Sequence, residues 1–438
     1  MSARPETTAA RLRAQGFPEA AVRARAATGS AAIFPPEEAY GREVFGASAA
    51  SHPETADLID RARLVPPVFA PLRLEKLIDL GREPLFSDVD LRTEIGGFRS
   101  AWPVFLSAFG STQLGSTELA AAASRQAGRL GIPMVIGENV VPVNGYGRGP
   151  AGPDSALLSR VRAYLAELPD GAGGVVIQQS TEDADSEVWN LVYSDPGVQP
   201  LVATGRLGFE LKVGQGAKPG LGGMTVLDAA AAARVGGQYA VTEVFDGSDR
   251  RLRSGSPGTF TGEILRQQIR LMRNNFPRAR VWVKLHPGRD VAEAARLAWA
   301  AGADAVTVDG AEGGSGWAPI AFLDHVGLPL AECLLRIGTP AGCLLAGGRM
   351  WEGSRVVKAL ALGARAAGLG RAALVAADQD RRDGLCRLLD GLALEASMLI
   401  SALGKYTTSA VGREDIWLPG AGAHAGLTED AAIIGDRR

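Results

Sequence analysis

Two glycine-containing turns in the last third of the chain have the composition of a phosphate site. Gly347 and Gly348 follow one short apolar run, and Gly370 and Arg371 follow the next and begin a helical segment. Glycine lets backbone N–H groups approach an anion, and the first turn of a helix carries partial positive charge. Arg349 or Arg371 can add a bidentate contact. A tight loop explains one such turn equally well, but two in succession favour phosphate binding.

Lys284 stands alone as a charged residue in residues 281–285, which otherwise read Val, Trp, Val and Leu. An ammonium group inside such a run must point into a polar cavity or suffer a large desolvation penalty. A cation in a barrel mouth can stabilise negative charge on a reduced cofactor. The alternative is a lysine whose stem crosses apolar surface to reach solvent.

Three polar side chains around residue 215 form a candidate substrate site. Lys212 lies at the end of a predicted strand, and Gln215 and Lys218 lie in the loop that follows it. Two lysines six residues apart can bind a dicarboxylate or another anion, although a solvated basic loop has the same composition. Glu138 follows an earlier predicted strand, where a carboxylate can orient an amine or move a proton. It can equally cap the next helix.

A glycine-rich loop, residues 309–316, includes Gly313 and Gly314 and directly follows another predicted strand. Glycines leave backbone amides free to face an anion or a planar ring. A flexible loop would have the same composition, so this pattern is weak by itself.

Short apolar runs alternate with segments of helical periodicity, and together they must position these residues. Continuous apolar strands are typical of a parallel sheet covered by helices, and eight such units close into a (β/α)8 barrel with its site at the carboxyl ends of the strands. The fold class is therefore α/β, a parallel (β/α)8 TIM barrel with an N-terminal helical extension and long βα-loop insertions. We predict strands at residues 104–107, 134–136, 174–177, 208–213, 281–285, 305–308, 343–345 and 366–369. We predict helices at residues 117–130, 155–167, 262–274, 291–301, 320–337, 352–362 and 372–403.

Three segments follow from this alternation: an N-terminal helical and irregular extension at 1–87, the barrel at 88–418 and a flexible tail at 419–438. An interrupted helix is expected at 9–27. Residues 178–207 and 214–260 break the alternation and are expected to be insertions on βα loops.

Composition excludes several classes of protein. The 438 residues carry a formal net charge of −2 and no long basic run, so no nucleic-acid partner is expected. No apolar stretch is long enough to span a membrane. Three cysteines and four scattered histidines match neither a zinc site nor a disulfide framework, so we predict no metal and a cytoplasmic location.

From about residue 88 to residue 375 these motifs resemble the FMN-binding domain family of glutamate synthase. The family includes the stand-alone archaeal type and the large subunit of methylamine–glutamate N-methyltransferase. The most specific match is 212–223, which reads KVGQGAKPGLGG. Five further matches occur in the same order along the chain: 107–111, 137–138, 283–285, 309–319 and 346–348.

The resemblance implies FMN as cofactor and a small amino-acid, 2-oxo-acid or imino-acid substrate. It implies cofactor contacts from Ser107, Ala108, Gln178, Lys284, Gly313, Gly314, Gly347, Gly348, Gly370 and Arg371. It implies substrate contacts from Glu138, Lys212, Gln215 and Lys218, with Glu138, Lys218 and Lys284 as the catalytic groups.

Departures from the family pattern change the expected chemistry. Residues 377–386 contain one cysteine, Cys386, where the family's glutamate synthases have three cysteines that hold an iron–sulfur cluster. The loop 252–261 lacks the family's two histidines, and Ala346 and Leu221 replace acidic residues. No glutaminase domain is expected before the barrel.

We therefore predict an FMN-dependent oxidoreductase that acts on the C–N bond of an amino acid or imino acid. The alternatives are an FMN-dependent amine or methylamine transferase subunit and a non-catalytic flavin-binding subunit of a complex. A homo-oligomer is expected, and an electron donor or partner subunits can take part.

Overall fold

The computed structural model describes most of the chain. The described residues are 12–35, 37, 57–109, 117–137, 156–181, 186–214, 224–237, 239–244, 248–255, 260–314 and 318–419. The predicted tail therefore lies outside them from residue 420 onward.

Eight parallel strands form a closed barrel, which confirms the predicted fold class. They are β1 Val104–Phe109, β2 Met134–Ile136, β3 Val175–Ser180, β4 Leu207–Lys212, β5 Arg280–Leu285, β6 Ala305–Asp309, β7 Cys343–Gly347 and β8 Ala366–Leu369. The barrel closes where Ala367 of β8 pairs with Val104 of β1. Most strand residues are buried on both faces, because helices cover the outside and side chains fill the inside.

The amino-terminal end of the barrel is filled with apolar side chains. The apolar cluster inside the barrel includes Phe105, Val176 and Trp282. A hairpin, Thr93–Ile95 paired with Phe98–Ser100, packs against this cluster and closes the amino-terminal end of the barrel. The Trp282 indole donates to the Gly96 carbonyl at 3.0 Å. Because this end is packed, polar side chains inside the barrel are confined to the opposite end.

Helices cover the barrel, and two of them, Ser186–Ser194 and Gln199–Ala203, lie in the segment 178–207, where an insertion and no helix had been predicted. After β1, β2 and β3 they are Thr117–Arg129, Ala156–Leu165, Ser186–Ser194 and Gln199–Ala203. After β4 and β5 they are Gly262–Asn275 and Val291–Ala300. After β6, β7 and β8 they are Ile320–His325, Leu330–Ile337, Gly353–Ala361, Arg371–Gln379 and Gly384–Ala402.

Two helices that were predicted as continuous are each broken in two. Gly327 has a φ of 102° and Pro329 begins the second half of the 320–337 segment, since proline starts a helix but cannot continue one. The 372–403 segment breaks at 380–383. A Cβ on Gly384 would lie 2.0 Å from the Ala376 carbonyl oxygen, so the two halves cross in close contact.

Insertions and the N-terminal region complete the described chain. The insertion after β4 contains strands Met224–Leu227, Ala240–Thr242 and Arg251–Ser254 in one antiparallel sheet, with the helix Ala229–Val235. The N-terminal helices are Glu19–Thr28, Leu58–Arg61 and Pro71–Leu80, with 3-10 turns at Gly29–Ile33 and Phe86–Asp88. Of the interrupted helix predicted at 9–27, residues 9–11 lie outside the described residues, and a regular helix begins at Glu19, after the predicted interruption at Gly16 and Pro18. The domain boundaries stay predictions.

None of the described helices combines the length and apolarity that a bilayer span requires. Within the described ranges no group of three His, Cys, Asp or Glu side chains is placed to hold a metal ion.

Candidate functional site

A buried ion pair lies at the carboxyl end of the barrel. The Lys284 Nζ of β5 lies 3.0 Å from the Asp309 Oδ2 at the end of β6. The two residues are 7% and 6% exposed. The β5–β6 register pairs Lys284 with Thr307, so alternation along β6 points Thr307 and Asp309 to the same interior face. The predicted cationic strand residue therefore carries its charge inside the barrel.

A buried carboxyl group, Glu210 of β4, lies beside this pair and was missed by sequence analysis. The Gln178 amide of β3 donates to its Oε2, and the Thr307 hydroxyl donates to its Oε1 at 3.1 Å. Burial raises the pKa of the Glu210 carboxyl, while the Lys284 ammonium opposes that rise. The available signal was its spacing, since Glu210 precedes Lys212 by two residues in a strand and therefore shares its face.

The turn after β7 contains two consecutive residues with positive φ, Gly348 and Arg349. A Cβ on Gly347 would lie 2.3 Å from the Asp309 Oδ1, and Gly348 has a φ of 153° that L side chains rarely adopt. Arg349 has a φ of 53° and is, among the described residues, the one non-glycine residue with positive φ. Such backbone strain is concentrated at ligand sites. Gly370 is the N-cap of the helix after β8, so its amides face the same end of the barrel.

The arginines near this turn have different partners from those predicted. Arg349 pairs with Asp60 at 2.6 Å, and the fully buried Arg355 pairs with Asp57 at 2.8 Å and donates to the Gly348 carbonyl at 3.1 Å. The sequence offered Arg349 or Arg371 as a phosphate contact, and in the structure Arg349 forms an ion pair with the helix Leu58–Arg61. The cause is electrostatic, because the partly buried carboxylates of Asp57 and Asp60 are stabilised by cationic partners.

Arg371 is the first residue of the helix after β8. Its guanidinium donates to the Glu312 carbonyl and stacks 4.7 Å from the Phe17 ring centroid. Burial, and secondarily the nearby Arg349, lower the pKa of Arg371 to about 10. A guanidinium carries five N–H donors, so contact with this carbonyl leaves donors for a phosphate.

Five other predicted residues lie near the carboxyl ends of the barrel strands. Ser107 and Ala108 lie near the end of β1, and a Cβ on Gly368 would lie 2.1 Å from the Ser107 Oγ. Gly313 lies close to Asp309, and Gly314 lies close to the Arg371 side chain. Lys212 is buried at the end of β4 and pairs in register with Lys284.

Three predicted substrate or catalytic residues, Glu138, Gln215 and Lys218, lie outside the described residues. His286 was considered only as a metal ligand, yet it follows β5 at the barrel mouth. Its buried Nδ1 has no hydrogen-bond partner among the described residues, and burial lowers the pKa of its imidazole. His286 is therefore a further polar group at this end of the barrel.

Glu312 gives a pH dependence that can be measured. Its carboxyl accepts from the Leu330 amide at 3.1 Å, and burial followed by the charge of Asp57 raises its pKa to about 7. When a carboxyl group has a higher pKa in the folded state than in the unfolded state, its contribution to stability is complete at a pH below the pKa of the unfolded state. This contribution is lost as the pH rises through the pKa of the folded state.

Between about pH 4.5 and pH 7 we expect the unfolding free energy of Glu312→Gln to fall by about 1–3 kcal/mol less than that of the wild type. Urea unfolding at a series of pH values measures this difference. Glu332→Gln on an exposed helical surface serves as the control. An unchanged pH slope in Glu312→Gln would contradict the prediction.

The fold and site together define a class: a parallel (β/α)8 barrel with glycine turns after β7 and β8 and a buried lysine at its carboxyl end. Residues 156–386 match the family model described as the conserved region in glutamate synthase. The match covers more than half of the chain, and the chain belongs to that family.

Curated relatives agree with this assignment. The archaeal-type glutamate synthase [NADPH] of Thermotoga neapolitana is 32% identical over 236 residues, 51% of this chain and 45% of that protein. The glutamate synthase large subunit-like protein of Rhizobium meliloti is 31% identical over 237 residues, 52% of each chain. The chain therefore spans about half the length of the curated relatives it matches.

A solved mandelate oxidase variant that carries an FMN adduct superposes with a TM-score of 0.52. It is 19% identical, and the alignment covers 91% of this chain and 98% of that one. At this identity the likeness concerns the fold alone. The predicted resemblance to the glutamate synthase family is confirmed, and the predicted cofactor, FMN, is supported by the family to which the chain belongs.

Proposed function

We propose that this chain is an FMN-dependent oxidoreductase that acts on the C–N bond of an amino acid or imino acid. The observation that carries the proposal is the Lys284–Asp309 ion pair at the barrel end where the glycine turns also lie. A cation and an anion cradle at one barrel mouth suit a phosphate-bearing cofactor that becomes negatively charged on reduction.

The residues at the barrel mouth fit FMN. The turn at Gly347 and Gly348, the helix that begins after Gly370, and Arg371 hold the phosphate. A Cβ on Gly347 would overlap Asp309, so this position of the turn requires glycine. Ser107, Ala108, Gln178, Gly313 and Gly314 line the ring.

Bound FMN supplies reversible two-electron transfer, and the chain's own groups do the rest. Lys284 stabilises negative charge, and Asp309 orients its ammonium at 3.0 Å. Gln178 is held by Glu210, so the amide has one fixed orientation. Because these groups are buried, electrostatic interactions within the site are stronger than in water.

Lys212, Gln215 and Lys218 bind the carboxylate end of the substrate, and Glu138 holds or moves a proton at its nitrogen. Lys212 is buried beside Lys284, which places one more cation near the barrel mouth. An imine hydrolyses readily, so a site closed to bulk water favours this chemistry. Relatives are named as glutamate synthases, but the departures at 252–261 and 377–386 favour a different substrate or electron source. A cytoplasmic location belongs to the same proposal.

The test begins with the visible spectrum of the purified chain and identification of the chromophore released by acid. We expect a yellow protein that releases FMN. Under anaerobic conditions an amino-acid panel should bleach the oxidised flavin, or a 2-oxo acid with ammonia or methylamine should reoxidise the dithionite-reduced flavin.

Each other result has a definite meaning. A yellow protein that neither oxidises nor reduces any member of the panel would contradict the catalytic proposal and favour a flavin-binding subunit. Methyl or amine transfer without net flavin oxidation would favour the transferase. A colourless protein that does not bind added FMN would remove the proposal.

A further inference from the structure

His286 continues the row of inward-pointing side chains of β5 and directly follows the last residue of that strand. Trp282 belongs to the apolar cluster inside the barrel, and Lys284 meets Asp309 there. Because side chains alternate between the two faces of a strand, the next inward position after Lys284 is 286. Two residues along a parallel strand span roughly 6.6 Å, so His286 lies further towards the open end of the barrel than the buried ion pair.

The neighbouring strand agrees with this direction. Lys212 of β4 pairs with Lys284, and the Val213 amide donates to the Lys284 carbonyl at 2.9 Å, so the register continues beyond the end of β4 and places Gly214 beside His286. A Cβ on Gly214 would lie 2.7 Å from the His286 Nδ1 and 3.0 Å from its Cβ. The imidazole therefore occupies the space on the inner face that a side chain at position 214 would fill.

The half-buried imidazole of His286 can accept a proton. Its Nδ1 is buried without a hydrogen-bond partner among the described residues, so Nε2 is the nitrogen that a substrate can reach. Burial lowers the pKa of the imidazole, and the charge of Asp290 opposes this effect. At neutral pH the ring is therefore uncharged and has one nitrogen lone pair. The charged groups at this end of β4, β5 and β6 and in the turn after β5 are Glu210, Lys212, Lys284, Arg289, Asp290 and Asp309.

We propose that the Nε2 of His286 accepts a proton from the ammonium group of the substrate at the barrel mouth. This deepens the proposed function and rests on it. Loss of the proton gives the substrate nitrogen a lone pair. The hydrogen on Cα can then pass with its two electrons to oxidised FMN, while the lone pair forms the C=N bond of the iminium product.

His286 suits this role better than the lysines beside it. The ammonium groups of Lys212 and Lys284 have no lone pair at neutral pH and cannot accept a proton. The proton on His286 returns to solvent after the product leaves. Glu138 then orients the substrate nitrogen and does not accept its proton.

The first test is the pH dependence of flavin reduction. The substrate is the amino acid of the panel that bleaches the wild-type protein fastest, used at saturating concentration from about pH 5 to pH 9. We expect the wild-type rate to fall at acidic pH, through a pKa below the usual value for an imidazole, because a protonated ring cannot accept a proton. His286→Gln should be slower by roughly 10²–10⁴-fold and should lose this fall. His325→Gln, at an exposed position on the helix Ile320–His325, is the matched control and should behave as the wild type does.

Rescue by added imidazole separates proton transfer from packing. His286→Ala leaves a space beside Gly214, so imidazole in solution should restore part of the rate, whereas a purely structural histidine would show no such rescue. The KM for the amino acid should change little, and the bound FMN content shows whether each variant is folded.

Four results would overturn the proposal. They are a wild-type rate in His286→Gln, an acidic fall that persists in His286→Gln, an acidic fall that is lost in Glu138→Gln instead, and His286→Ala that imidazole does not rescue. A wild-type protein that binds FMN but is reduced by no amino acid is a different failure, because it removes the proposed function and this inference with it.

Discussion

Lys284→Met is expected to slow flavin reduction by substrate by roughly 10²–10³-fold, the loss typical of removing one group that stabilises developing charge. The lysine is 7% exposed and lies 3.0 Å from Asp309, so no solvent cation can replace it readily. Without it the pKa of the Glu210 carboxyl should rise further, because the Lys284 charge opposes the effect of burial. Stopped-flow absorbance under anaerobic conditions measures the reduction rate, and the flavin midpoint potential should become more negative.

A control must separate catalysis from stability. Lys284→Met leaves Asp309 as a buried carboxylate without this partner, a change that typically costs about 3–5 kcal/mol. The double variant Lys284→Met/Asp309→Asn removes both charges and should regain most of the unfolding free energy while flavin reduction stays slow. Recovery of the reduction rate in the double variant would show that Lys284 has only a structural role.

Gly347→Ala is expected to weaken FMN binding by at least roughly a hundredfold, which corresponds to about 2.7 kcal/mol. The new Cβ would lie 2.3 Å from the Asp309 Oδ1, so either the turn after β7 must open or Asp309 must move away from Lys284. Both movements disturb the proposed site. Fluorescence titration of the apoprotein with FMN measures the dissociation constant.

Gly237→Ala provides the matched control. Gly237 lies in the insertion after β4, and a Cβ there meets no atom within 4 Å. This variant should bind FMN as the wild type does. If Gly347→Ala and Gly237→Ala have equal affinities for FMN, the phosphate is not held by the turn after β7.

Much of the fold was predictable because each barrel strand is buried on both faces. A parallel strand between helices must be apolar throughout, and β2 and β8 begin and end at the predicted residues. The two broken helices were not predicted because both halves are apolar with helical periodicity. Pro329 was a visible signal for one break. The other break depends on the close crossing at Gly384, which is a tertiary contact.

The candidate site was only partly predictable for a similar reason. Lys284 stood out because a charge in an apolar strand is costly. Glu210 and Thr307 also lie inside the barrel. The hydrogen bond between them joins two strands, β4 and β6, that are far apart in the sequence. The choice between Arg349 and Arg371 stayed open, because the carboxylate partner of Arg349, Asp60, precedes it by 289 residues. The spacing of residues along one sequence contains no information about such distant pairs.

The amino-acid sequence alone determined the barrel, the glycine turns after its last two strands and the lysine inside it, because apolar periodicity and glycine placement are local properties. Only the tertiary structure decided which carboxyl groups surround Lys284, which arginines pair with Asp57 and Asp60 and which apolar helix is exposed. These outcomes depend on which side chains meet across the barrel mouth and on what the packed chain leaves exposed. Both are properties of the folded molecule.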